Sequence, residues 1–126
     1  MIFISSPYTH KDKKVEHQRY VETCKYAAYL FAKEKMAISP VIIGHPLLEH
    51  EKLPGDFAFW KDYSYKLLKH CDEVHILMLD GWNESVGVCN ETIFADLHDI
   101  PVKYFWPEKS GKFFRIKPKE RNYEQW

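Results

Sequence analysis

Residues 72–91, DEVHILMLDGWNESVGVCNE, constrain the fold of this chain more than any other stretch. Val74 to Leu79 is an unbroken apolar run of buried-strand length. Asp80-Gly81-Trp82-Asn83 is loop chemistry, a small acid and a glycine where the chain must turn. Ser85-Val86-Gly87-Val88 opens a helical pattern that carries Glu91 and ends near Leu97. Strand, loop and helix make half of a parallel α/β unit. Ligands of open α/β sheets bind in the crevice outside the carboxyl ends of the strands. The loop from Asp80 to Gly87 is expected there. Glu91, about one and a half turns into its helix, can face the same crevice.

The rest of the chain repeats that unit. Met1-Ile2-Phe3-Ile4 reads as a central strand, ended by Ser5-Ser6-Pro7-Tyr8-Thr9-His10, whose hydroxyls suit either a ligand or a helix cap. A long helix is predicted from Lys13 to about Lys35, with Val15, Tyr20, Cys24, Ala27, Ala28 and Phe31 as its inner stripe. On that helix Arg19 is expected to be a surface residue paired with Glu16 or Glu22, although its position also allows it to reach a phosphate. Residues 36–43 read as a second strand broken at Pro40, followed by a crevice loop, Gly44-His45-Pro46-Leu47-Leu48. His45 is either a ligand for a sugar or base or a structural histidine bonded to the backbone. Asp56 caps a further helix to about His70, with Trp60 and Tyr63 as core residues or as walls of a base pocket. Residues 100–106 form the last strand. This order predicts an α/β fold, flavodoxin-like or Rossmann-like, with a small parallel sheet in the middle of three layers.

At 126 residues the chain supports a single core. Eighteen basic residues balance eighteen acidic ones, so no net field draws it to nucleic acid or a membrane. No run of about 18 apolar residues suggests a membrane span, and no charged leader precedes the first strand. Cys24, Cys71 and Cys89 lack paired spacing and read as reduced thiols in the cytoplasm. Cys24 and Cys89 are expected to be buried. No dinucleotide fingerprint, phosphate-loop motif or zinc-ligand spacing is present. Residues 107–126 carry six Lys and Arg against three Glu, with Phe113, Phe114, Tyr123 and Trp126 between them. Such a stretch can bind single-stranded nucleic acid. An arm docked on its own domain or on a neighbouring subunit is the stronger expectation, because free tails rarely carry so many aromatics.

Taken alone, Glu91 reads as a solvated helix residue, and Ser85 as an N-cap that can also help hold an anion. Gly87 beside it allows a ligand to approach the backbone closely. The spacing Ser85, Gly87, Glu91 after a strand and an acidic loop adds a resemblance. With Ser6-Pro7-Tyr8-Thr9-His10, His45-Pro46-Leu47 and Asp80-Gly81-Trp82, it looks like the nucleoside 2-deoxyribosyltransferase superfamily, over about residues 1–106. Within that superfamily the similarity is to a bacterial and phage branch related to nucleoside 5'-monophosphate N-glycosidases.

The resemblance implies an N-glycosidase or deoxyribosyl transferase acting on a (deoxy)nucleotide or nucleoside; hydrolysis is expected over transfer because water can always serve as acceptor. Glu91 would be the nucleophile. Ser85 and Gly87 would hold the phosphate or sugar, and Ser5 and Ser6 would line the site, with His45, Asp80 and Trp82 as further substrate contacts. No metal or organic cofactor is implied, and a homo-oligomer is. Two positions depart from the pattern. The family's first-strand tyrosine falls on Phe3, which leaves Tyr8 as the candidate hydroxyl for orienting the nucleophile. The family's aspartate in the helix before the third strand falls on Ser64, with Asp62 as the nearest acid. These departures support an alternative, a nucleotide-binding or sequestering module of the same fold without turnover.

Overall fold

The structure, a computed structural model, describes residues 1–108 and 112–116. Strand β1 (Ile2–Ser5) leads to helix α1 (Lys13–Ala32) and the two-residue strand β2 (Ala37–Ile38). Helices α2 (Pro40–His50) and α3 (Phe57–Leu68) then precede β3 (Glu73–Leu77). A 3₁₀ turn at Trp82–Glu84 opens into α4 (Val86–Leu97), followed by β4 (Val102–Pro107) and β5 (Phe113–Ile116). The sheet order is β2-β1-β3-β4-β5. The first three pairings are parallel, and β4 with β5 is antiparallel.

The apolar runs do not alternate because both sheet faces are covered. Phe3, Val74, Ile76, Met78 and Tyr104 pack with Leu68 of α3 and with Val88 and Ala95 of α4. On the other face Ile2, Ile4, Leu77 and Leu79 meet Tyr26 and Leu30 of α1. The predicted three-layer α/β fold is therefore correct, and the sheet is parallel except for β5. The chain reverses direction across the sheet between β1 and β3, so the loops after these two strands open at one switch point, the usual place for a ligand crevice.

Three local expectations fail. Residues 40–50 are a helix, not the end of a strand and a loop. Ser39 Oγ caps it by accepting from Ile42 N, and Pro40 takes the first turn, where its missing N–H costs nothing. In α1 the buried residues are Glu16, Thr23, Tyr26 and Leu30, whereas Ala28 and Phe31 face outward. Cys89 is exposed and Cys24 half-buried, and neither is bonded to another cysteine. The stretch after residue 106 contributes a strand of its own, with Phe113 against Tyr26 at 4.7 Å between ring centroids. That agrees with an arm docked on its own domain. Tyr123 and Trp126 lie outside the described residues.

Candidate active site

Glu91 lies in the second turn of α4 and is only 6 % exposed. Its position follows from the cap: Ser85 Oγ accepts from Val88 N and starts the helix directly after the β3 loop. Ser5, at the carboxyl end of β1 and fully buried, donates its hydroxyl to Glu91 Oε1 at 2.7 Å. Ser64 of α3 faces the carboxylate from the other side and is also buried. Burial pushes the Glu91 carboxyl up to about 7, and the Ser5 and Ser64 hydroxyls only partly oppose it. Ser64 Oγ helps to hold the charge but closes no hydrogen bond of full geometry. It is the one buried side-chain polar atom among the described residues left without a partner.

Glu91 and Ser64 open onto a cleft of about 1580 Å³ that Ser6, Tyr8, His45, Phe57, Trp60, Asp80, Ser85 and Gly87 also line. That is larger than the ~300–1,000 Å³ that encloses an ordinary small ligand. Val86 and Gly87 border it with the first amides of α4, which have no intrahelical acceptor. The helix dipole favours an anion there. A Cβ on Gly87 would meet the Phe57 ring at 3.4 Å, about van der Waals contact, so α4 and α3 are close at the cleft mouth.

Arg19 holds the two crevice loops together. Its guanidinium donates to the carbonyls of Tyr8 and Thr9 (3.3 and 3.0 Å) and of Asp80 (2.9 Å). It is thus not the surface partner of Glu16 or Glu22 that helical spacing suggested. Gly81 has φ +84°, a conformation that favours glycine, and a Cβ there would also press on Arg19 Nη2 at 2.7 Å and shift the guanidinium. The signal in the sequence was the stripe Glu16, Arg19, Thr23, Tyr26, Leu30. Its polar half points at the loops and its apolar half at the sheet.

Several predicted site residues take other places. Tyr8 does not orient Glu91. Its hydroxyl bonds His45 Nδ1 at 2.7 Å, and burial pushes its pKa up to about 12. Ser5, expected to touch substrate, sits behind Glu91 and positions it instead. Ser6 Oγ pairs with Thr23 Oγ1 at 2.9 Å while lining the cleft. Asp62 is exposed on α3 and does not line the cleft, because Ser64, two residues on, takes the inward face. Trp82 packs against the α3/α4 core, edge-on to Tyr104 at 5.9 Å, and is not a cleft wall. Asp80 is exposed at the rim. His45 is buried, stacked on Tyr20 at 4.3 Å.

Over residues 1–106 the chain matches the family described as Domain of unknown function (DUF1937), and it belongs to that family. No curated protein matches it.

Proposed function

We propose that this member of the DUF1937 family cleaves the N-glycosidic bond of a (deoxy)nucleotide or nucleoside, with Glu91 as the nucleophile. One observation carries the reading: a carboxylate buried at the cleft floor, held by hydroxyls alone, with a pKa raised to about 7. Structural carboxylates are normally paired with a cation when buried. One left unpaired in a cleft is a candidate for chemistry.

In the reaction a Glu91 oxygen bonds the anomeric carbon as the carbon–nitrogen bond breaks, and the base leaves with the electron pair. Water then attacks the glycosyl-enzyme and gives up a proton to solvent, releasing the sugar and restoring the carboxylate, while the departed base takes up a proton from solvent. The amides of Val86 and Gly87 suit a 5'-phosphate, the Ser64 hydroxyl suits a sugar hydroxyl, and Phe57 and Trp60 offer apolar walls to the base. The exposed stripe Val86, Cys89, Ile93 and Leu97 on α4 supports the homo-oligomer that the resemblance implies. Three free cysteines agree with a reducing compartment, the cytoplasm. No helix among the described residues is long and apolar enough to cross a membrane.

The placement of Asp62 favours a second reading. With that acid turned to solvent, the leaving base lacks the partner that the resemblance supplies, and the cleft would bind a nucleotide without turnover. Chromatography of ribo- and deoxynucleosides and their 5'-monophosphates, incubated with wild type and with Glu91→Ala, separates the two. Free base released by the wild type alone is the result expected of a glycosidase. Thermal stabilisation by one of the compounds without base release is the result expected of a binding module.

A further inference from the structure

The histidines and cysteines of this chain have no zinc-ligand spacing in sequence, yet the fold brings two histidines and a glutamate to one point. His45 and Glu49 lie one turn apart on α2, and His17 reaches them from α1. His45 Nε2 is 3.3 Å from His17 Nδ1 and 3.1 Å from Glu49 Oε1. All three ligand atoms lie within 4.8 Å of one another.

The His45 ring is held in position before any ion arrives. It is 8 % exposed, Tyr20 stacks on it, and the Tyr8 hydroxyl meets Nδ1 at 2.7 Å. In the tautomer with Nδ1–H donating to Tyr8, Nε2 presents a lone pair to His17 and Glu49; in the other, the Tyr8 hydroxyl donates to Nδ1 and Nε2–H donates to Glu49 Oε1. A ring proton held by an oxygen on the far side is the usual support of a metal-bound histidine. In the first tautomer the three acceptor atoms repel unless a cation lies between them; in the second the Nε2 proton takes that place. Around a tetrahedral zinc with bonds of ~2.0–2.1 Å, neighbouring ligand atoms are about 3.3 Å apart. Two edges of this triangle already have that length. The third is within 4.8 Å, and the Glu49 side chain, 61 % exposed, is free to turn toward it.

We propose that His17 Nδ1, His45 Nε2 and a Glu49 oxygen bind a divalent cation of the zinc class, with a fourth position open to water. Two imidazoles and a carboxylate suit zinc or cobalt and are too nitrogen-rich for calcium or magnesium. The ion would clip α1 to α2 and, through Tyr8, fix one wall of the cleft.

The full chain, stripped with chelator, is titrated with Zn²⁺ by calorimetry and with Co²⁺ by absorption. His17→Gln and Glu49→Gln are run beside it, since both residues are exposed and their loss leaves folding intact. One equivalent is expected to bind, with a melting temperature that rises with Zn²⁺ concentration. The Co²⁺ complex should show visible bands of a tetrahedral site without thiolate charge transfer. Each variant should bind at least ~10-fold more weakly, and Tyr8→Phe ~10-fold more weakly through its loss of support. His98→Gln should bind as the wild type does. No binding, binding untouched by both variants, or a thiolate spectrum from the cysteines would overturn the assignment. So would stabilisation that responds to acidification but not to metal, because a shared proton would then fill the gap.

Discussion

Two glutamates on opposite faces of the sheet have lost most of their water, and they have been treated in opposite ways. Glu73, at the start of β3, sits in a completed chain of polar groups. Burial keeps His75 neutral, so the Tyr26 hydroxyl donates to His75 Nδ1 (2.7 Å) and His75 Nε2–H donates to Glu73 Oε1 (2.6 Å). Lys103 Nζ donates to the other oxygen at 2.7 Å. Desolvation pushes the Glu73 pKa up, but the bonds from Lys103 and His75 outweigh it, and the net shift is downward. Glu91 is more deeply buried and has two serine hydroxyls and no cation. Burial of an acid therefore does not by itself mark a functional site. What distinguishes the cleft is desolvation left uncompensated, which leaves Glu91 near neutrality in its titration and Ser64 without a partner.

The sharpest way to break this contrast is to remove each carboxylate. Glu91→Ala should lower base release by ~10³-fold or more, about 4 kcal/mol of transition-state stabilisation, read by chromatography. The same variant should fold. Glu73→Ala should do the reverse. Base release per folded molecule should persist, while urea unfolding should show a loss of ~2–3 kcal/mol. That is below the figure for a fully buried pair because the Glu73 side chain is 25 % exposed.

A finer test uses the isosteric amide. Glu91 has a folded pKa of about 7 against an ordinary value of 4.5. The folded state therefore holds a proton that the unfolded state has released between those two pH values. Stability falls as pH rises through that window, and the whole cost is present above pH 7. Glu91→Gln removes it. The variant should exceed the wild type by ~1–3 kcal/mol at pH 8, with the gain fading toward pH 4.5, in denaturant titrations at both pH values. Catalysis needs the ionised form, so wild-type base release should climb as pH rises toward and past 7.

The smallest effect belongs to Ser5. Ser5→Ala removes one bond to the charged carboxylate, costing ~1 kcal/mol, or about fivefold in rate. It should also move the acid limb of the pH–rate profile to higher pH, which a purely structural serine would not do.

Most of the scaffold was legible in the sequence, because continuous apolar runs, a serine cap and an acidic loop act locally. β1, β3 and α4 follow from such signals, whereas Glu91 taken alone reads as solvated and was expected at the site through the resemblance. Residues 40–50 were misread because Val41-Ile42-Ile43 favour a strand, whereas Ser39 and Pro40 start a helix that tertiary contact with α1 and α3 then holds. The inner face of α1 was misread because its buried residues near the cleft are polar. Glu16, Arg19 and Thr23 bind loops rather than fill a core, and hydrophobic period does not register them. His75 was absorbed into an apolar run; Glu73, two residues back, was within local reach, but Tyr26 of α1 and the Lys103 of β4 that completes the chain were not. Tyr8 and Trp82 were assigned by type. Their actual neighbours, His45 and Tyr104, were set by helices and strands placed elsewhere.

The most direct test needs no substrate. Side-chain carboxyl carbons labelled with ¹³C can be followed by NMR from pH 3 to 9, with Glu91→Gln and Glu73→Gln to assign the two signals. The expected result is a Glu91 midpoint near 7 and a Glu73 midpoint below 4.5. A Glu91 carboxyl that titrates at or below the ordinary value would mean that it is compensated like Glu73, and the case for a nucleophile at the cleft floor would fall with it.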